Sequence, residues 1–151
     1  MKLLINCTVV VYLGKLRSSL LKGTNAATTE AVRREAEFLL NSLDYVEVLS
    51  EVEILKPEKV LENDKYLSET DLELAFLAAR QNYILVTDDK KLRAKTTSLG
   101  AKAIDLQHLI EFLHYREKLS KNEAIKLLYQ LEKEYNRKKD VRKAIERINK
   151  R

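Results

Sequence analysis

The chain has 151 residues, 34% of them charged, with one Pro, three Gly and a formal net charge of +5. That length can bury a real core and suits one compact α/β domain with a small extension, while so little Pro and Gly argues against long linkers and an all-β fold. The density of charge leaves no membrane span, and the single cysteine, Cys7, excludes an intramolecular disulfide and favours a reducing, cytoplasmic compartment.

Lys2–Ile5 reads as a buried first strand, with Asn6, Cys7 and Thr8 at its carboxyl end. The apolar run to Leu13 superficially resembles a signal peptide. It is too short to cross a membrane, has Asn6 and Cys7 in its middle, and is followed by no small-residue cleavage site. A helix is expected over Val10–Leu21, then a polar turn over Lys22–Thr28 containing Gly23 and Asn25. Thr28 or Thr29 caps a second helix reaching about Leu43. Its core stripe is Val32, Ala36, Leu39 and Leu43. Glu35 falls on the flank of that stripe, roughly 60° from its centre, with Phe38 beyond it and Glu30 and Glu37 on the solvent side. Tyr45–Leu49 reads as a short alternating strand that Val52–Leu55 extends or repeats. Pro57 opens a short helix to about Asn63.

The rest of the chain is organised around LSETDLELAFLAARQNYILVTDD, residues Leu67 to Asp89. Ser68 reads as an N-cap with Asp71 at the capping-box position. Leu72–Ala79 is apolar nearly all round, broken by Glu73, which marks a buried central helix. Gln81 and Asn82 end it. Tyr83–Val86 is a continuous apolar run, the pattern of a strand covered on both faces in a parallel sheet. Thr87, Asp88 and Asp89 follow at once, and ligands in open α/β sheets bind at the carboxyl ends of strands. Asp88 or Asp89 then starts a basic helix carrying Lys90, Lys91, Arg93 and Lys95, which Gly100 ends. Lys102–Ile104 is a last edge strand. Helices follow over about Asp105–Tyr115, after Ser120 (apolar face Ala124, Leu127, Leu128 and Leu131), and over about Asp140–Asn149. Strands alternating with helices argue for an α/β fold with a parallel sheet. The expected division is a domain over 1–115 and a basic helical extension over 116–151.

That extension holds 13 Lys and Arg against 6 Asp and Glu, and the remainder 15 against 17. A mildly acidic body with a basic tail suits contact with a polyanion; a solvated helical hairpin laced with i,i+4 pairs is the alternative. Candidate polyanion contacts are Lys90, Lys91 and Arg93 beside the strand end, and Arg137, Lys138 and Lys139 in the tail. Tyr115, Tyr129 and Tyr135 offer stacking or packing.

Four polar residues are expected to converge at the carboxyl edge of the sheet: Asn6, Glu35, Asp71 and Asp88, with Asp89 adjacent. An all-oxygen set of this kind selects a hard cation, Mg²⁺ or Mn²⁺. Without a cation the carboxylates repel and a pKa rises; with one they can orient water and stabilise a phosphoryl transition state. Each residue also has a structural role open to it. Asp71 can complete a capping box, Asp88 can cap a helix, and Glu35 can pair with a basic side chain. No His/Cys cluster supports zinc, and no Gly-rich loop supports a P-loop or dinucleotide enzyme. Cys7 reads as a buried structural thiol, and His108 and His114 as structural or surface residues.

SETDLELAFLAA followed by YILVTDD resembles the third and fourth acidic motifs of the PIN-domain nucleases. TTEAVRREAEFL resembles the second motif, with its glutamate at Glu35. KLLINCTVVVYLGKL resembles the first, where the family usually has an Asp and this chain has Asn6. The resemblance covers about Met1 to Leu113. It implies a three-layer α/β/α PIN-like fold with a central parallel sheet, and Asp71 and Asp88 helping to bind a divalent metal. It also implies RNA, single-stranded or structured, as the substrate, contacted by Lys90, Lys91, Arg93, Arg137, Lys138 and Lys139, and a VapC-like toxin role with an antitoxin protein as partner. A homodimer and no membrane association complete the expectation. Two functions follow. One is a Mg²⁺- or Mn²⁺-dependent endoribonuclease in which Glu35, Asp71 and Asp88 act with Asn6 as a neutral ligand and Asp89 as an auxiliary carboxylate. The other is a PIN-like module, weakened or inactivated through Asn6, that binds RNA or a protein. A phospho-accepting receiver domain would carry its paired acids after the first strand, whereas here the pair follows a later one.

Overall fold

The computed structural model describes residues 1–15, 19–39, 44–135 and 138–150, with the side chains of 44, 45, 134, 135 and 138 outside the description. Contacts divide the chain into two compact units, Met1–Ile104 and Asp105–Arg151. The helix expected over Asp105–Tyr115 therefore groups with the helices after it.

The first unit is built on a five-stranded, all-parallel sheet in the order β3-β2-β1-β4-β5. Strand β1 (Leu3–Ile5) is fully buried and pairs with β2 (Ala26–Thr29) on one side and β4 (Ile84–Val86) on the other. β3 (Glu53–Leu55) and β5 (Lys102–Ile104) are the edges. The chain steps outward from β1 to β2 to β3, then crosses to β4 and steps outward again to β5. Right-handed crossovers therefore place α1 (Cys7–Lys15), α2 (Glu30–Leu39) and α3 (Asp44–Ser50) on one face, and α4 (Glu69–Gln81) and α5 (Lys90–Ser98) on the other. In agreement, α1 packs on α2 and α3, and α4 packs on α5. This is the expected three-layer α/β/α arrangement.

Local signals fix several elements. The Ser68 hydroxyl accepts the Asp71 N–H at 3.1 Å to open α4. Asn82, in left-handed backbone at φ 58°, closes it, and Tyr83 N–H returns to the Ala78 carbonyl. Leu72, Leu74, Ala75, Leu77 and Ala78 are buried on α4. The Asp89 carboxylate caps α5 by accepting the N–H groups of Lys91 and Leu92 at 2.9 and 3.3 Å. Gly100, at φ 89°, turns the chain into β5.

Other expectations are corrected. Strand β2 occupies part of the segment expected as a polar turn. Its AATT sequence has little apolar character, and its hydroxyls are satisfied only in the fold: Thr28 donates to the Ile5 carbonyl at 2.6 Å. The second helix accordingly starts at Glu30, where Thr29 Oγ1 accepts the Val32 N–H at 3.3 Å. Of its expected stripe, Val32 and Ala36 are buried but Leu39 is exposed, and Leu43 lies outside the described residues. Tyr45–Leu49 is helix α3 rather than a strand. So short an apolar run fits either period, and a helical turn buries Val48 while Ser50 Oγ closes on the Glu47 carbonyl. Pro57–Asn63 forms no helix: Leu61 is exposed, no apolar stripe exists to dock one, and Glu62 is tied instead to Lys95 at 3.7 Å. Helix α1 starts at Cys7 rather than Val10, because the Asn6 carbonyl already accepts the N–H groups of Val9 and Val10.

The second unit comprises α6 (Leu106–Tyr115), capped by Asp105, α7 (Lys121–Tyr135), opened by Ser120, and α8 (Lys138–Asn149). Leu109, Leu113, Leu128, Leu131, Val141 and Ile148 are buried here. Glu111, almost fully buried, is held by a two-pronged pair from Arg147 at 2.6 and 3.0 Å. No helix among the described residues is long and apolar enough to cross a membrane.

The left-handed cap gives the first prediction. Asn82→Gly should leave stability within about 0.5 kcal/mol of wild type, whereas Asn82→Val should lose about 1–2 kcal/mol. Urea unfolding of the three proteins measures this directly.

Candidate active site

The sheet reverses its strand order between β1 and β4, so a crevice opens at their carboxyl ends. Asn6 follows β1 and is 4% exposed; Thr87 follows β4 and is fully buried. The Asn6 amide donates from Nδ2 to Thr87 Oγ1 at 2.7 Å, and its Oδ1 accepts the Cys7 N–H at 2.7 Å. Thr87 Oγ1 also accepts the Asp89 N–H at 3.2 Å. With both acceptor positions used, the Thr87 hydroxyl keeps its proton for donation. Arg93 donates to the Thr87 carbonyl at 2.7 Å. It thus braces the turn that carries the acids instead of projecting into solvent. Lys90 and Lys91 are exposed on the first turn of α5.

Two carboxylates act on a third here. Asp71, half-buried on the first turn of α4, has its pKa pushed up. Desolvation is the largest cause, and the charges of Asp89 and Glu35 add to it while the Ser68 hydroxyl pulls it back. Cys7 is pushed up to about 11, first by burial and then by the charge and hydrogen bond of Glu35 and the charge of Asp71. The thiol is therefore protonated at neutral pH and donates toward Glu35, which fits a structural group and not a nucleophile. Glu35 is an exposed residue of α2, brought to the crevice at Cys7. Asp89, from the loop after β4, is one of the charges that raise Asp71. Asp88 is half-buried between Thr87 and Asp89. In the tail, Lys139 is exposed, while Arg137 and the side chain of Lys138 lie outside the description, as does that of Tyr135.

Two polar features escape the sequence. The Thr29 hydroxyl bonds Glu73, whose pKa burial raises and that bond lowers. Tyr66 stands 65% exposed just ahead of α4. Only the TT pair ending AATT and the lone Tyr before the Ser68 cap mark these positions in the sequence.

Among the described residues, no group of three or more His, Cys, Asp or Glu could hold a metal ion. Mg²⁺ does not require such a cage: it keeps several waters and takes one or two carboxylates plus substrate phosphate. The donors fit that mode. They are all oxygen, and the charges of Asp89 and Glu35 raise Asp71 in the way an added cation would relieve.

A doubly wound parallel sheet, with the charges of Asp89 and Glu35 reaching Asp71 near its switch point, defines an open-sheet α/β protein. Residues 23–98, half of the chain, match the family model for the PIN domain associated with the TPR-GreAB-C-PIN system. The chain belongs to the PIN-domain family, whose members are generally nucleases that use divalent metal ions. Among solved structures it is similar to the PilT N-terminus domain protein SSO1118 of the hyperthermophilic archaeon Sulfolobus solfataricus P2. That match has 20% identity and a TM-score of 0.59, and covers 72% of this chain and 90% of that one. It is also similar to PAE2754 of Pyrobaculum aerophilum, at 22% identity and a TM-score of 0.54, covering 72% and 93%. At these identities the likeness is one of fold. No curated protein matches the sequence.

The electrostatics of Asp71 set a pH dependence. Its folded pKa lies above its unfolded one, so between the two the folded chain holds a proton that the unfolded chain has shed. Stability then falls as pH rises through that window. Asp71→Asn should therefore unfold at higher urea than wild type at pH 7, and the gap should close toward about pH 4. An equal gap at both pH values would assign the effect to packing.

Proposed function

We propose that this protein is a divalent-metal-dependent endoribonuclease of the PIN type. The observation that supports it is the coupling of Asp71 with Asp89 and Glu35 at the sheet's switch point, where β1 and β4 end. Asp71 and Asp89 would hold Mg²⁺ or Mn²⁺, with Glu35 and Asp88 reaching it directly or through water. A dication so held supplies charge for the attack of water on a phosphodiester and for the transition state that follows. The chain's own groups do the positioning. Capping fixes Asp71 and Asp89 on two helix N-termini, Arg93 and Asn6 hold the Thr87 turn, and the Thr87 hydroxyl offers its proton.

A second reading has its own support. Asn6 brings no charge to the crevice, and its amide is spent on Thr87 and the Cys7 N–H. A module that binds RNA or a protein and turns over slowly or not at all is consistent with that neutral position. Asn6→Asp separates the two. The Thr87 hydroxyl can turn to donate to the new carboxylate, so the fold should tolerate it.

The expected result for wild type is RNA cleavage that needs Mn²⁺ or Mg²⁺ and stops with chelator. Asp71→Asn should lower it at least ~100-fold, and Asn6→Asp should tighten Mn²⁺ by ~10–100-fold and speed cleavage. Cleavage undiminished in Asp71→Asn would sink the nuclease assignment. An inert wild type that gains activity through Asn6→Asp would make the natural protein a binding module.

The wider setting belongs to the same proposal. A VapC-like toxin in a reducing, cytoplasmic compartment would take RNA on its basic surfaces and an antitoxin, or a second copy of the chain, on its apolar ones. Phe38 and Leu39 are exposed on α2, which suits a protein contact. The basic second unit exposes Lys139 and Lys143 on α8. Replacing both with Gln should reduce the slope of log affinity for single-stranded RNA against log salt by about 1.4, at about 0.7 per phosphate contact. An unchanged slope would assign α8 to packing or to a protein partner.

A further inference from the structure

An acidic site that works on a polyanion must offset the repulsion between its carboxylates and the phosphates it receives. At the lip of this site stands a group suited to that task. Tyr66 is 65% exposed, yet its placement is fixed. The Asp64 carboxylate accepts the Tyr66 N–H at 2.8 Å, an Asx turn, and two residues further on Ser68 caps α4, the helix of Asp71. The Lys91 ammonium lies 4.6 Å from the centroid of the Tyr66 ring and that of Lys65 at 5.5 Å. The backbone N–H of the same Lys91 donates to Asp89. Ring and ammonium are therefore tethered to the two helix N-termini that carry the acids. Phe76 makes a useful contrast. It too meets cations, Arg80 at 5.6 Å and Lys95 at 6.0 Å. Its ring is half-buried along a groove of about 300 Å³, and Lys95 is already paired with Glu62.

We propose that Tyr66, flanked by Lys65 and Lys91, is a stacking platform for one base of a single-stranded nucleic acid entering the acidic site, with the two ammonium groups taking the adjoining phosphates. This rests on the nuclease reading above for what happens next to the platform, but binding can be read without cleavage. An ammonium over an exposed ring is weakly held. A base can take its place over the ring while the lysine swings to the backbone. Stacking of this kind accepts any base, because every base has a π-face. It rejects a duplex, whose bases are already stacked on one another.

The test uses the full chain, chelator, and a fluorescein-labelled single strand of about ten nucleotides, as RNA and as DNA, beside the RNA duplex, read by anisotropy. Tyr66→Ala should weaken binding of both single strands by about tenfold to a hundredfold, Tyr66→Phe should restore it to within about threefold of wild type, and the duplex should bind all three alike. Lys91→Gln should reduce the salt slope by about 0.7, while Tyr66→Ala leaves it unchanged. Because Tyr66 is exposed, its variants should unfold at the wild-type urea midpoint, which separates lost stacking from lost fold. The platform is overturned if Tyr66→Ala binds single strands as wild type does, if its loss is equal on the duplex, or if wild type binds no single strand. Wild type that cleaves RNA with Mn²⁺, together with a Tyr66→Ala that binds and cleaves as well, would remove the platform and leave the nuclease. Loss of binding in Tyr66→Ala alongside a wild type that never cleaves would keep the platform and remove the nuclease.

Discussion

Strand β1 lies beside β4 although most of the first unit's sequence separates them, and the site follows from that adjacency. Asn6 and Thr87, 81 residues apart, meet at 2.7 Å because their strands end side by side. The strand order reverses at this seam, so no crossover connection covers its carboxyl edge. The seam is dry and well made: Leu3, Leu4, Ile5, Leu85 and Val86 are fully buried. Such a frame can hold strand ends rigidly while leaving the groups just beyond them open to chemistry.

Those groups are assembled against their own electrostatics. The charges acting on Asp71 from Asp89 and Glu35 are negative, and burial compounds them. The fold offsets part of that cost with helix ends. Asp71 sits on the first turn of α4 and Asp89 caps α5, so both face the partial positive charge of an N-terminus. Cys7 records the same field from the other side, as a thiol kept protonated by burial and by Glu35. The remaining imbalance is what a PIN domain's divalent cation would meet, and Lys65 and Lys91 stand just outside it with charge of the opposite sign.

Asn6 is the buried polar group at the end of β1. Its amide can donate as well as accept, and the donation to Thr87 is one that a carboxylate could not make. The neutral residue therefore has a structural role where it stands: it locks the two strand ends together and receives the first N–H of α1.

Elements held by interactions within a few residues were legible in the sequence. Ser68, Asp89 and Asp105 cap their helices through N–H groups two or three positions on. β4 and β5 announce themselves by an apolar run and by flanking Gly and Asp. The resemblance to PIN nucleases rested on this same local grammar. What only the tertiary structure decided depends on distant partners. β2 exists as a strand because Thr28 finds the Ile5 carbonyl and Thr29 finds Glu73, bonds that an AATT segment does not advertise. Residues 45–49 became helix because the surface of α1 rewards burying Val48 in one turn, a choice that a short ambiguous period cannot make. That the charge of Asp89 reaches Asp71, on a helix 18 positions earlier in the chain, is likewise a product of the fold and not of local pattern. Tyr66 and Lys91 are 25 positions apart with no periodic relation, and they meet only in the fold, where α4 and α5 pack side by side and the Asp64 turn fixes the Tyr66 backbone just ahead of α4.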